Sequence, residues 1–341
     1  MTSEAHRIPP PISPHPLVCR ERVVVLLVCV VVTLVIVQWV GSVTIYAPEL
    51  VARRQYFHDL ILSNQLPPGK TWDEFGANST NIRVLTVALA DSLADFTGLR
   101  LSNVYKLIDS SCLLVTLLLV YAYLKRWFDP PHALAGLLLL SAFLPVTMML
   151  HSFHPWDRPA LLLWMVMILL VLSGRLVLFL ATYLGAVAVK YDAVVAPGLY
   201  WLLAVRRGAV WRPTAITIAL MAAGFALYAL LLALFPGGLD AKDIAMQVEH
   251  NLTEMRQMNV WHPALLVHGS LGCLCAIGWA RASREQRVLA SFGLLMLIPH
   301  FVLTNFVEVR AQMATALLML PGAVRGIQVA LGDLSNDRGS P

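Results

Sequence analysis

The sequence predicts an all-α, polytopic integral membrane protein of about 10 spans (9–11). Three observations carry this. Of the 341 residues, 58% are hydrophobic and 13% charged, with a mean hydropathy of +0.70, whereas a soluble domain carries about a quarter charged residues. The apolar runs are continuous rather than alternating, which argues against a β-barrel. Basic residues gather in short loops between those runs. The net charge of +5 therefore speaks for membrane topology and not for nucleic acid.

Residues 1–22 are polar and Pro-rich and read as a disordered tail. Arg20 and Arg22 precede an apolar run from Val23 to Tyr46, too long for a signal-peptide core, hence an uncleaved first span. The next stretch, 47–82, is polar. Its first half, Pro48 to Asn64, places Leu50, Phe57, Leu60 and Ile61 at helical spacing, as in an interfacial amphipathic helix. Residues 82–99 are apolar but contain Arg83, Asp91 and Asp95, and read as a re-entrant or interfacial helix. Further spans are expected near 107–124, 133–150, 159–174, 176–189, 193–205, 213–235, 263–280, 288–306 and 312–330, all within a membrane domain of 23–330, with a second tail at 331–341. Several are short for a core that needs about 20 residues. Short helices meeting at charged turns suggest a cavity cut into the bilayer.

Ten spans put both termini on one side. The loops there hold Arg20, Arg22, Lys125, Arg126, Arg175, Arg206, Arg207, Arg212, Arg281, Arg284, Arg287 and Arg325, which makes that side cytoplasmic in an inner membrane. The outer face then carries two long loops, about 47–106 and 236–262. Tryptophans near span ends (Trp39, Trp127, Trp156, Trp201, Trp211, Trp261 and Trp279) fit interfacial belts without a functional role. Four of the five cysteines lie in apolar segments, so no disulfide framework is indicated, and Cys273 and Cys275 read as small buried hydrophobes.

Three charge pairs interrupt the apolar sequence at outer turns: Asp157 with Arg158, Lys190 with Asp192, and Glu308 with Arg310. Ionised groups at membrane depth usually face a bundle interior and mark a site. In the first turn, Pro155 and Pro159 start a helix and Asp157 meets its dipole. A capped turn with a snorkelling arginine is the plainer explanation; lining a cavity is the functional one. His151, His154 and Asp157 have metal-ligand chemistry but no metal-site spacing, so no cofactor is indicated. Lys190 could hold a phosphate as a point charge. Arg310 could do so as a bidentate fork, or could brace a carboxylate. The first outer loop adds Glu49, Arg53, Arg54, His58, Asp59, Asp73, Glu74 and Arg83, and any of its carboxylates could act as a base. Asp91 and Asp95 read as the wet face of their helix. Nucleotide-binding, serine-hydrolase and zinc-protease motifs are absent from the sequence.

Four short motifs together carry a resemblance: Asn81-Ile82-Arg83-Val84-Leu85, the turn from Pro155 to Leu161, Lys190-Tyr191-Asp192, and Glu308-Val309-Arg310. The chain resembles a large group of uncharacterised polytopic bacterial membrane proteins. Their layout is similar to that of the GT-C glycosyltransferases, which use polyprenyl-phosphate sugars at the outer face with a loop acid as base. The resemblance implies a donor of that kind among the membrane lipids and a glycan, lipid or protein acceptor. It implies Glu49 or Asp59 as base, and Lys190, Arg158 and Arg310 on the phosphate. Asp157, Asp192 and Glu308 would orient those cations, with Arg83 and His154 completing the substrate-binding set. The chain departs from that group in having Lys190-Tyr191-Asp192 where an Asn-Arg-Glu-like turn is expected, and Glu49 alone after the first span. Two other classes compete: a transporter or flippase for a lipid-linked or anionic substrate, and a non-catalytic membrane assembly partner.

Overall fold

The computed structural model describes residues 16–63, 65–66, 68–69, 83–148, 154–205, 210–235, 244–256, 263–303 and 309–336. Helices run throughout these residues and no strand occurs among them. In order they are α1 (Pro16–Thr33), a π-helical stretch (Leu34–Val40), α2 (Gly41–Thr44), α3 (Pro48–Leu62), α4 (Leu85–Thr97), α5 (Leu101–Leu124), α6 (Pro130–Phe143), α7 (Asp157–Leu172), α8 (Leu176–Val189), α9 (Ala196–Ala204), α10 (Trp211–Leu234), α11 (Ile244–Met255), α12 (Ser270–Gly278), α13 (Arg284–Leu303) and α14 (Met313–Asn336). The chain is an all-α protein, and its apolar helices mark it as a membrane protein.

Among the described residues, five helical stretches are long and apolar enough to cross a membrane: Arg20–Thr44, Leu101–Leu124, Pro130–Met148, Trp211–Leu234 and Met313–Gly332. At about 1.5 Å per residue, 24 residues rise about 36 Å and clear a core of about 30 Å. Of the rest, α13 has 20 residues but opens on Arg284, Glu285 and Arg287, and the others are shorter. By the same rule the 13 residues of α4 rise about 20 Å, too little to cross. Gly98, at φ +67°, then turns the chain back towards α5.

The axis of the bundle is α14. Residues 312–324 are buried without a break, and α6, α7, α12 and α13 pack around them. Small residues allow the closest approach: a Cβ on Gly326 would lie 2.0 Å from the Leu274 carbonyl oxygen, and one on Gly278 would lie 2.5 Å from the Gly326 nitrogen. By contrast α10 turns Ile218, Phe225, Leu230 and Leu234 outward, the apolar surface a lipid would cover.

Side chains fix which helix ends share a level. At one end Tyr121 donates to Glu21 at 2.5 Å, Lys125 pairs with Glu21 at 3.3 Å, and Arg126 reaches the Leu172 carbonyl. At the other, Tyr46 donates to Asp109 and Arg158 donates to Thr147 at 2.8 Å.

Three sequence readings shift. Residues 16–22, taken as tail, are the opening turns of α1, because Glu21 gains partners on α5 and the turn after it. Residues 331–336, taken as the second tail, continue α14. Cys273 is exposed while Cys275 is buried against the Met319 carbonyl, since residues two apart fall on different helix faces.

Candidate functional site

The sequence-predicted charges converge: Lys190 and Asp192 pair within their turn as expected, while Asp157 pairs across turns with Lys190 and Arg310. Asp157 opens α7, so its carboxylate sits at the positive end of that helix. It is the hub: Lys190 lies 3.5 Å from one oxygen and Arg310 3.8 Å from the other. Lys190 also pairs with Asp192 at 3.3 Å. Each residue arrives on a short element. Lys190 is an extended residue between α8 and the 3-10 turn Tyr191–Val195, and Arg310 lies in the 3-10 turn Val309–Gln312 that leads into α14. Arg158 does not pair with its neighbour Asp157. It points to Thr147 and lies in electrostatic range of Asp109. Lys190, Arg158 and Arg310 are all buried. Removing one partner from such a group leaves a charge uncompensated, at a cost of about 3–5 kcal/mol.

Trp156 is the floor of the cluster. Taken from sequence as an interfacial belt residue, it is instead wholly buried, because the turn between Pro155 and Pro159 drives it inward. Four side chains gather on it. Arg54 and Arg83 lie over its ring at 5.3 and 5.1 Å, and His58 and His154 meet it edge-on at 6.0 and 5.2 Å. Arg83 also lies over Tyr191 at 4.9 Å, so aromatic rings hold it twice. Among the described residues Arg83 has no ion pair, and its Nε is buried without a hydrogen-bond partner. The Trp156 indole N–H and Asp192 Oδ1 are likewise buried without one.

Helix α3 presents two faces to the site. Arg54 and His58, one turn apart, reach Trp156. The His58 Nδ1 lies 2.9 Å from the Arg54 carbonyl oxygen. Burial lowers the His58 pKa to about 4, so the ring is neutral near pH 7. A carbonyl only accepts, so Nδ1 carries the proton and Nε2 the lone pair. Burial, with Arg310 next, lowers His154 to about 2. Burial and the neighbouring Arg310 and Arg83 also lower Arg54 to about 10, still charged at neutral pH.

Gln55 and Asp59 make the other face. Gln55 donates to Asp59 at 2.6 Å and to Asp91 at 2.9 Å, and accepts from Tyr105 at 3.0 Å. Burial raises the Asp91 pKa. Asp91 was read as a wet-face residue, yet it is half-buried and bound; Asp95 is exposed. Glu49 lies exposed in the first turn of α3, with no ion pair or hydrogen bond to the cluster among the described residues. Asp73, Glu74, His151 and Glu308 fall outside the described residues.

The structure thus brings together Arg54, Arg83, His58, His154, Asp157, Lys190, Asp192 and Arg310. Sequence reasoning missed Trp156, Gln55, Tyr105, Thr147 and Asp109. Only Asp109, a carboxylate inside an apolar helix, carried a visible signal. Among the described residues no three His, Cys, Asp or Glu side chains converge as metal ligands. Chemically, the cluster offers cations set in aromatic and carboxylate supports, suited to an anionic group. Comparison with family models, with curated proteins and with solved structures finds no match to this chain.

Proposed function

We propose that the chain is a GT-C-like glycosyltransferase that moves a sugar from a polyprenyl-phosphate donor to an acceptor at the extracytoplasmic face. In this reading the shorter helices complete about ten crossings, both termini are cytoplasmic, and the Asp157 end of the bundle faces outward. The observation that supports it most is Arg83. It lies over the Trp156 and Tyr191 rings and, among the described residues, no carboxylate pairs with it, so its guanidinium N–H groups, which recognise phosphate in a bidentate way, are not spent on an ion pair. Lys190 and Arg310, positioned by Asp157, lie at the same turns.

The donor phosphate sits on Arg83, Lys190 and Arg310, with Arg54 and Arg158 beside it. The acceptor hydroxyl oxygen bonds to the anomeric carbon as the bond from that carbon to the phosphate oxygen breaks. The hydroxyl proton passes to a carboxylate, and the polyprenyl phosphate leaves with its charge held by the cations. Of the two candidate bases, Asp59 is better placed than Glu49, since Gln55 ties it to Asp91 next to the Arg54 turn. The acceptor is a glycan, a lipid or a protein.

The test is a profile of lipid-linked saccharides and envelope glycans in cells carrying Lys190→Ala or Arg310→Ala. A glycan is lost, and its lipid-linked donor accumulates, per unit of folded protein recovered in the membrane. An unchanged profile in both variants contradicts the reading.

A further inference from the structure

A second group of polar side chains is buried beside the charge cluster and has no part in the chemistry above. His268 lies in the π-helical stretch Leu265–Gly269, and such stretches are frequent at functional sites. His300 follows Pro299 near the end of α13. Gln312 closes the 3-10 turn that carries Arg310, and Thr315 lies in the first turn of α14. All four are buried, Gln312 and Thr315 completely. The elements pack directly, since the π-helical stretch and α13 both lie against α14. His268 lies near Gln312 and His300, and His300 lies near Asp192 and Lys190, so the group adjoins the charge cluster. Asn251 of α11 is buried and donates to the Phe301 carbonyl, which ties α11 to this end of α13.

Gln312 comes close to the His268 ring without hydrogen-bond geometry. Neither nitrogen of His268, nor the Thr315 hydroxyl, has a hydrogen-bond partner among the described residues. Native proteins rarely leave such groups dry, at a cost of about 1–3 kcal/mol each. The chemistry of the four is uniform. Amide, hydroxyl and neutral imidazole each both donate and accept. Charges of both signs next door, Lys190 and Arg310 with Asp157 and Asp192, already pair with one another, and the group itself carries none. A neutral ligand group that donates and accepts fits best, and that is an alcohol hydroxyl.

We propose that His268, His300, Gln312 and Thr315 form a neutral subsite for the hydroxyl groups of a sugar whose phosphate rests on Arg83, Lys190 and Arg310. The proposal rests on the phosphate reading given above. It makes the charge cluster the anchor and the neutral group the part that selects the sugar.

The experiment measures binding of farnesyl phosphate, and of farnesyl phosphate carrying mannose, glucose, galactose or ribose, to the purified full chain in nanodiscs. The expected result is that at least one sugar tightens binding tenfold or more over farnesyl phosphate. His268→Phe and Thr315→Val each remove most of that gain and leave farnesyl phosphate within twofold. Thr315→Val keeps the side-chain shape, so it reads the subsite even where His268→Phe fails to fold. No gain from any sugar, or an equal loss for both kinds of probe, overturns the subsite and leaves the phosphate reading standing. Failure of the wild-type chain to bind farnesyl phosphate overturns both.

Discussion

At the Glu21 end of the bundle, Lys125 and Glu21 keep 34% and 28% of their side chains exposed, and their pair lies at the rim. At the Asp157 end, Lys190 and Arg310 keep 8% and 7%. The first end carries Arg20, Arg22, Lys125 and Arg126, with a groove of about 340 Å³ lined by Arg20, Glu21, Val24, Val25, Pro130 and Leu134. Its charges remain solvated and cost little. The second end takes its charges out of water, at several kcal/mol per ion. Asp157, Asp192 and two aromatic rings offset that cost, and among the described residues Arg83 has the rings and no ion pair. In the proposed reading, the exposed charge orients the protein in the membrane and the buried charge holds the ligand. The ends also differ in what holds them. Near the Glu21 end it is glycine contact between α12 and α14, and near the Asp157 end it is ionic and aromatic contact.

The sharpest way to break this contrast is Asp157→Ala. It leaves Lys190 and Arg310 facing each other without their shared carboxylate, at a cost of about 3–5 kcal/mol. Thermal unfolding in detergent should show a large fall in midpoint. Next comes the glycine contact: Gly326→Ala forces a methyl against the Leu274 carbonyl and should cost about 1–3 kcal/mol, read in the same assay. A comparable effect sets in with acid. His58 is neutral in the fold, with its pKa lowered to about 4, against about 6.5 in an unfolded chain. The unfolded state therefore binds the proton first. The His58 share of the stability is complete above about pH 6.5 and declines as pH falls from there towards 4, by roughly 2 kcal/mol at pH 5. His58→Gln should remove that share and leave the part due to His154, whose pKa is lowered further. The smallest effect belongs to the Glu21 end, where Glu21→Gln should cost less than about 1 kcal/mol. A midpoint shift there as large as that of Asp157→Ala would erase the distinction between the ends.

The contrast also explains what the sequence revealed. Charges stand out in apolar runs, so Asp157, Lys190, Asp192 and Arg310 were legible as a group, and short helices around them were legible as a site. The Lys190–Asp192 pair was legible too, but Asp157 was matched with its neighbour Arg158 while the fold joins it to Lys190 and Arg310 across turns. Trp156 was misread because an indole at a helix end suits both a lipid interface and a buried floor, and only the turn around Pro155 decides between them. Gln55 and Tyr105 are neutral residues on polar or mixed segments, and their bond exists only once α3 and α5 are side by side. His268 and His300 look like ordinary titratable residues until packing against α14 buries them. The reach of α4 was left open by the sequence, where 82–99 is fairly apolar yet carries Arg83, Asp91 and Asp95; only the 13-residue length of the helix shows that it rises too little to cross.

The most direct test of the claim that the Asp157 end binds phosphate is a cryo-EM map of the chain in a nanodisc with farnesyl phosphate. The account predicts phosphate density within hydrogen-bond distance of Arg83, Lys190 and Arg310, above Trp156. Phosphate density at the Arg20 and Lys125 rim, with none above Trp156, would contradict it.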